Sequence, residues 1–195
     1  MRNDICLRPV SRERDRGNYI RLQKETSPFR HMFEDPAFCD KYWNDMFAEG
    51  RVPYAIIETG HGEFCGGCAI MDVQQGRPEL EMELLERFRG CGIGYAALCI
   101  LLRMADEEYG RRSFLCCIDA DNYASQALAR KAGGRPAGLR PFFFASEEKR
   151  KAFEEKNRHR IDDRMRKTAE AFGAEPEQLL SHVLMYTIDG SYGTI

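Results

Sequence analysis

The stretch that most constrains this chain is "ELEMELLERFRGCGIGYAALCILL", residues 79–102. Its first residues alternate strictly. Glu79, Glu81 and Glu83 fall on one face of a strand, and Leu80, Met82 and Leu84 on the other. A strand of this kind is covered on one side only. An antiparallel sheet allows that, whereas a parallel sheet covered on both faces wants a near-continuous apolar run. Gly90, Gly92 and Gly94 follow at alternate positions, and then an apolar helical run closed by Gly110. Glycine weakens helices, so three of them where a helix begins imply a need for bare backbone. A helix N-terminus carries unpaired N–H groups and a partial positive charge, and glycines let a phosphate approach them. Strand, glycine loop and helix together predict a bound nucleotide-like pyrophosphate. A simple tight turn would need one glycine.

The flanking chain supplies more strands and helices. "ICLRPV" (5–10) reads as a strand and 11–25 as a charged helix with Tyr19, Ile20 and Leu22 as its apolar stripe. Asp35-Pro36 opens a second helix to about Ala48, with Phe38, Tyr42, Trp43 and Phe47 at helical spacing as packing residues. "YAIIET", the turn "GHG" and "EFCGGCAIMDV" form a hairpin; "QQGRP" turns into the acidic strand. "SFLCCID" is a strand, and "DNYASQALARKAGG" a short helix with Asp121 or Asn122 as N-cap and Gly133-Gly134 as its stop. "PAGLRPFFF" and "HVLMYTI" are final strands. Between them, residues 145–180 are highly charged, with Ile161, Met165, Ala169 and Phe172 on one stripe. They read as two or three inserted helices with a solvated face.

With 195 residues, 43% hydrophobic and 31% charged, the chain suits one domain with a substantial core. A net charge of -2 gives no global field for nucleic acid or anionic membrane. The longest apolar stretch is too short and glycine-rich for a membrane span, and the N-terminus lacks a signal-like apolar region, so a cytoplasmic protein is expected. Eight cysteines lie mostly in apolar runs and read as small core hydrophobes. "FCGGC" is a CxxC without a second ligand pair, so no metal is expected. Cys116 and Cys117 should point to opposite faces of one strand.

Two ligands could explain the glycines. Gly92-Ile93-Gly94-Tyr95-Ala96-Ala97 fits the GxGxxA of a dinucleotide-binding fold, with Asp119 ending the next strand where a ribose-binding acid would sit. The three glutamates, the position after a hairpin and the lack of a second βαβ series argue against it. The alternative begins with Arg89-Gly90-Cys91-Gly92-Ile93-Gly94. This hexapeptide matches (Q/R)xxGx(G/A), and "LLERFRGCGIG" and "DADNYASQALARKAGG" extend the match: Asn122, Ser125, Lys131 and Gly133 fit N-x-x-S-x-x-x-x-x-K-x-G. In these motifs and in its element order the chain resembles the GNAT superfamily of acyl-CoA-dependent N-acetyltransferases, including the branch similar to ribosomal-protein N-terminal acetyltransferases. The resemblance covers residues 1 to about 140 and 182–189.

The resemblance implies an α/β (α+β) fold with a mixed, mostly antiparallel twisted sheet flanked by helices, in one domain over 1–195 with a helical insert at about 145–180. It implies acetyl-CoA as co-substrate. Its diphosphate would lie on the loop Arg89, Gly90, Cys91, Gly92, Ile93, Gly94 and Tyr95, with Arg89 or Arg87 adding charge. Its pantetheine arm would pair with backbone at Leu84 and Leu85 and meet Asn122 and Ser125. Lys131 fits the pattern or is simply an exposed helix residue. A primary amine, on a small molecule or a peptide N-terminus, would attack the thioester. A carboxylate would take its proton: Glu81 first, with Glu79 and Glu83 on the same face. A backbone N–H at the end of that strand would stabilise the oxyanion. Ala129 stands where many members of the superfamily have a tyrosine general acid, which leaves Tyr123, Tyr95 and Tyr186 as substitutes. The insert, with "PFFF" (141–144), could cover the acceptor. The expected partners are the coenzyme and an amine, with no nucleic acid or membrane, in a monomer or homodimer. A non-catalytic acyl-CoA-binding domain and an NAD(P)-dependent oxidoreductase are the competing functions.

Overall fold

The computed structural model describes residues 5–58, 61–74, 76–110 and 113–189. The turns expected at 60–62 and 74–78 fall partly outside them. Among the described residues, seven strands and six helices make a mixed α/β fold whose β1–β2, β2–β3, β3–β4 and β6–β7 ladders are all antiparallel. The described chain forms two compact units, one running through Phe114 and one from Leu115 onward.

In the first unit, β1 (Ile5–Pro9), β2 (Val52–Glu58), β3 (Phe64–Met71) and β4 (Glu79–Leu84) lie side by side in that order. Two helices precede the hairpin: α1 (Arg16–Thr26) and α2 (Pro36–Asp45). Pro36 occupies the first helical position of α2, and the Asp35 carboxylate accepts from the Ala37 N–H at 2.9 Å; proline has no N–H to lose there. Tyr19 and Leu22 of α1, Trp43 and Met46 at the end of α2, and Ala55, Phe64 and Leu85 make one buried cluster. The aromatic residues read as packing do pack: Trp43 meets Phe47 at 5.1 Å and Phe33 meets Tyr42 at 5.1 Å between ring centroids. α3 (Ile93–Tyr109) packs against β1 and β3 through a buried stripe that includes Ala97, Leu101 and Ala105.

Two glycines in β3 set how closely these layers approach. A Cβ on Gly67 would lie 2.5 Å from the Tyr19 hydroxyl, and one on Gly66 would lie 2.1 Å from the Glu83 carbonyl oxygen. The "FCGGC" segment is therefore a packing device. Cys65 and Cys68 are buried in the strand, and among the described residues no His, Cys, Asp and Glu cluster could hold a metal.

The second unit contains β5 (Ser113–Asp119) from Leu115 on, α4 (Tyr123–Lys131), β6 (Arg135–Pro141), α5 (Glu147–Asn157), α6 (Asp163–Phe172) and β7 (His182–Asp189), with strand order β5-β7-β6. Cys116 is buried and Cys117 half-buried, as alternation requires. The expected strand runs through Phe144, but β6 ends at Pro141, so Phe142 to Phe144 lie outside it, and Phe143 is 96% exposed. The charged 145–180 stretch folds as α5, α6 and two short 3-10 turns. Met165 and Ala169 are buried, and Phe172 packs on Tyr186 of β7 at 5.1 Å. No helix among the described residues is long and apolar enough to cross a membrane.

Candidate active site

The acidic strand β4 faces an open cleft lined among others by Tyr19, Tyr42, Arg51, Gly67, Glu81 and Glu83. Register explains why the glutamates face space. Glu83 lies opposite Gly67 and Glu81 opposite Ala69, so the neighbouring strand presents small residues on that face. The two carboxylates differ. Glu81 is exposed and paired with the Arg51 guanidinium at 2.5 Å. Glu83 is half-buried and accepts from the side-chain amide of Gln23 on α1. Burial and the nearby Glu81 charge raise the Glu83 pKa, while Gln23, Arg51 and Arg89 oppose that rise. Glu79, the third expected carboxylate, is half-buried at the start of β4 and does not line the cleft. Sequence reasoning missed Gln23, Tyr42 and Arg51. Gln23 carries no motif, and Tyr42 sits in an aromatic stripe. The signal available was Gly66-Gly67, since paired glycines in a strand mark a close approach.

The chain after β4 builds the glycine loop. Leu85 is buried, its N–H donates to the Cys65 carbonyl at 3.0 Å, and its carbonyl accepts from Phe88 N–H at 3.0 Å. Leu84 keeps its carbonyl on the surface side of this turn, where Arg89 Nε donates to it at 2.9 Å. Arg87 pairs with Glu63 at 2.6 Å and lies 4.8 Å over the Phe88 ring. Gly90 (φ +73°) and Gly92 (φ +93°) both occupy the left-handed region with open space where a Cβ would stand. Exposed Cys91 between them donates its thiol to the Phe88 carbonyl at 3.0 Å. The first intrahelical bond of α3 runs from Ala96 N–H to Gly92 at 3.1 Å, so the Ile93 and Gly94 amides stand at the helix mouth. Ile93 anchors that turn in the core, and Tyr95 is half-buried two residues on.

In the second unit, the Asn122 side-chain oxygen Oδ1 caps α4 by accepting from Ser125 N–H at 3.1 Å. The Tyr123 hydroxyl donates to Asp162 at 3.0 Å, and Arg160 pairs with Asp121 at 2.8 Å, so the insert grips the start of α4. Ala129 is buried. Tyr186 is buried too, and its hydroxyl accepts from Arg130 at 3.3 Å. Lys131 lies in the last turn of α4, where the helix dipole favours a cation.

The description "Acetyltransferase (GNAT) domain" belongs to the family model that matches residues 4–135. The chain belongs to the GNAT acetyltransferase family. As a GNAT protein it is an acyltransferase. A search of curated proteins finds no match. Among solved structures, a spermidine N-acetyltransferase chimera of Vibrio cholerae and hSSAT aligns with a TM-score of 0.66 at 12% identity, covering 95% of each chain. A spermidine N-acetyltransferase from Vibrio cholerae in complex with CoA and spermine gives 0.64 at 12% identity over 96% of each. A protein from the same organism, assigned as a ribosomal-protein-serine acetyltransferase, gives 0.63 at 14% identity over 97% of this chain and 96% of its own. At these identities the likeness is one of fold. The GNAT fold also removes the dinucleotide reading of GxGxxA: β4, the strand feeding the glycines, pairs antiparallel with β3, whereas a dinucleotide-binding first strand lies in a parallel sheet.

Proposed function

We propose that this GNAT protein transfers the acetyl group of acetyl-CoA to a small primary amine, with Glu83 as general base. The observation that carries the reading is the Glu83 carboxylate, half-buried and facing the cleft, directly before the glycine loop. Glu81, the first expectation from sequence, is less suited because Arg51 holds it as an exposed ion pair. A base near neutral pH needs a carboxylate whose pKa lies above its ordinary range, and burial with a like charge nearby supplies that for Glu83. An ammonium has no lone pair to attack with. Glu83 takes its proton, directly or through one water, and the free amine adds to the thioester carbon. The C–N bond forms, the C–S bond breaks, and the coenzyme leaves as a thiolate that takes up a proton.

Acetyl-CoA supplies the acetyl thioester. Gly90 to Tyr95 would hold its diphosphate on backbone N–H groups, and Arg89 fits beside it better than Arg87, whose guanidinium is already paired with Glu63. Leu84 suits the pantetheine arm better than Leu85: both backbone groups of Leu85 are bonded to main chain, whereas the Leu84 carbonyl is held by the exposed Arg89 side chain. The same bonding takes the Leu85 N–H away from any role at the oxyanion. For the thiolate, Tyr186 is a poor acid because its ring is buried against Phe172 and burial raises its pKa. A thiol of pKa about 8.5 leaves without much help. Two carboxylates in the cleft suit a cationic amine as acceptor. The spermine-bound structure supports that choice of acceptor. We take residues 1–195 as one acetyltransferase domain.

Coenzyme release with a panel of mono-, di- and polyamines tests the reading. Glu83→Gln should lower kcat by about 10²–10⁴-fold while acetyl-CoA binding by calorimetry stays unchanged. Glu81→Gln should cost far less. Full turnover in Glu83→Gln removes the base assignment, and acetyl-CoA binding without turnover on any amine would mark a coenzyme-binding domain.

A further inference from the structure

Behind the Glu83 carboxylate stands a side chain to which no motif assigns a part. Gln23 lies on the inner face of α1 and is 8% exposed. Its Nε2 donates to Glu83 Oε2. A primary amide nitrogen donates and a carboxylate only accepts, so the direction of this bond is fixed. Burying an amide costs free energy unless it is bonded, and the Glu83 carboxylate is the partner Gln23 meets in the first unit's core.

We propose that Gln23 is a positioning residue for the acetyl transfer: its amide holds the Glu83 carboxylate in one orientation toward the cleft and favours its ionised, proton-accepting form. The proposal rests on the reading of Glu83 as the base. Glu83 is faced from every side by groups that bear on its charge. Glu81 on its own strand repels it. Arg51, ahead of β2, and Arg89, in the loop, attract it. Tyr42 on α2, Tyr19 on α1 and Cys68 on β3 line the same cleft. Burial raises the pKa of each of these three, so they stay neutral near pH 7. Arg51 is shared with Glu81 through an ion pair. Among the described neighbours, Gln23 is the group bonded to the Glu83 carboxylate itself. A hydrogen bond to a charged partner is stronger than a neutral one, so the amide favours the ionised form.

Gln23→Met keeps the shape of the side chain and removes the donor; Gln23→Glu turns the donor into a second acceptor. Two measurements read the result. The first is the Glu83 carboxyl titration in the free enzyme by ¹³C NMR on glutamate-labelled protein, its resonance assigned by its loss in Glu83→Gln. The second is the pH profile of kcat at saturating acetyl-CoA and amine. In Gln23→Met the NMR midpoint and the acid limb of kcat should both move to higher pH by about one unit, with a larger move in Gln23→Glu. A folded Gln23→Met protein whose Glu83 titrates where the parent's does overturns the proposal. Because the NMR titration needs no turnover, it decides on Gln23 even where Glu83→Gln keeps full activity and the base reading falls.

Discussion

At the residue scale, the Arg8–Asp15 pair does what no motif announces. Asp15 stands just before α1 with its carboxylate 3% exposed. Arg8 of β1 donates to both its oxygens at 2.7 and 2.9 Å, and the Ser11 N–H donates at 2.7 Å. Burial alone would raise the Asp15 pKa, but the Arg8 and Ser11 bonds outweigh it and hold the carboxyl below its ordinary value. Asp15→Ala removes the anchor between β1 and α1, and α1 carries Tyr19 and Gln23. Arg8 is a third exposed and can turn to water, so the cost should be about 2 kcal/mol, less than for a fully buried pair. Its pH dependence has a definite sign. The folded pKa lies below the unfolded one, so the stability is fully present above pH ~4 and is lost as pH falls through the folded value. Urea melts of parent and variant should converge on acidification. A gap that widens below pH ~4 would rule this account out.

At the scale of elements, the insert is a structural part of the second unit, not an appendage. Its charges face solvent as the mixed signs suggest, yet α5 and α6 close polar and apolar contacts against β7. Glu154, nearly buried, accepts from Arg150 and from the fully buried Ser181 hydroxyl, the latter at 2.5 Å. Asp162 caps α6 by accepting from Met165 N–H at 2.7 Å and holds the Tyr123 hydroxyl with the same carboxylate. Excising residues 147–178 to test for a lid would therefore strip this packing as well. A point change reads the element more cleanly. Phe172→Ala leaves Tyr186 without its edge contact and should lower stability by about 2–3 kcal/mol, below the usual range for a fully buried phenylalanine because Phe172 is half-buried. Thermal melts followed by tyrosine fluorescence would show it, and an unchanged Tm would mean that α6 is not packed against β7 as described.

At the scale of the whole molecule, coenzyme binding should show as stability. Acetyl-CoA at a hundred times its Kd should raise stability by about 2.7 kcal/mol, roughly 5–10 °C in Tm for a chain of this size, while NADH and NADPH should leave it unmoved. A rise with a nicotinamide cofactor alone would contradict the coenzyme reading of the glycines. Much of this was legible in advance because the signals are local. Alternation of Glu and Leu marks a one-sided strand, positive φ at Gly90 and Gly92 demands glycine, and Asn122 caps the helix that follows it. Each needs only a residue and its chain neighbours. The order of strands and helices follows from the same patterns, and so does the resemblance that the family match bears out. What the sequence left open depends on side chains far apart in the chain. Three glutamates alternate identically in β4, and nothing local ranks them. Only folding brings Arg51 onto Glu81, Gln23 onto Glu83 and Tyr19 over Gly67. A carboxylate's readiness to take a proton depends on its burial and on the charges and donors around it, and those are set by tertiary contacts between α1, α2 and three strands.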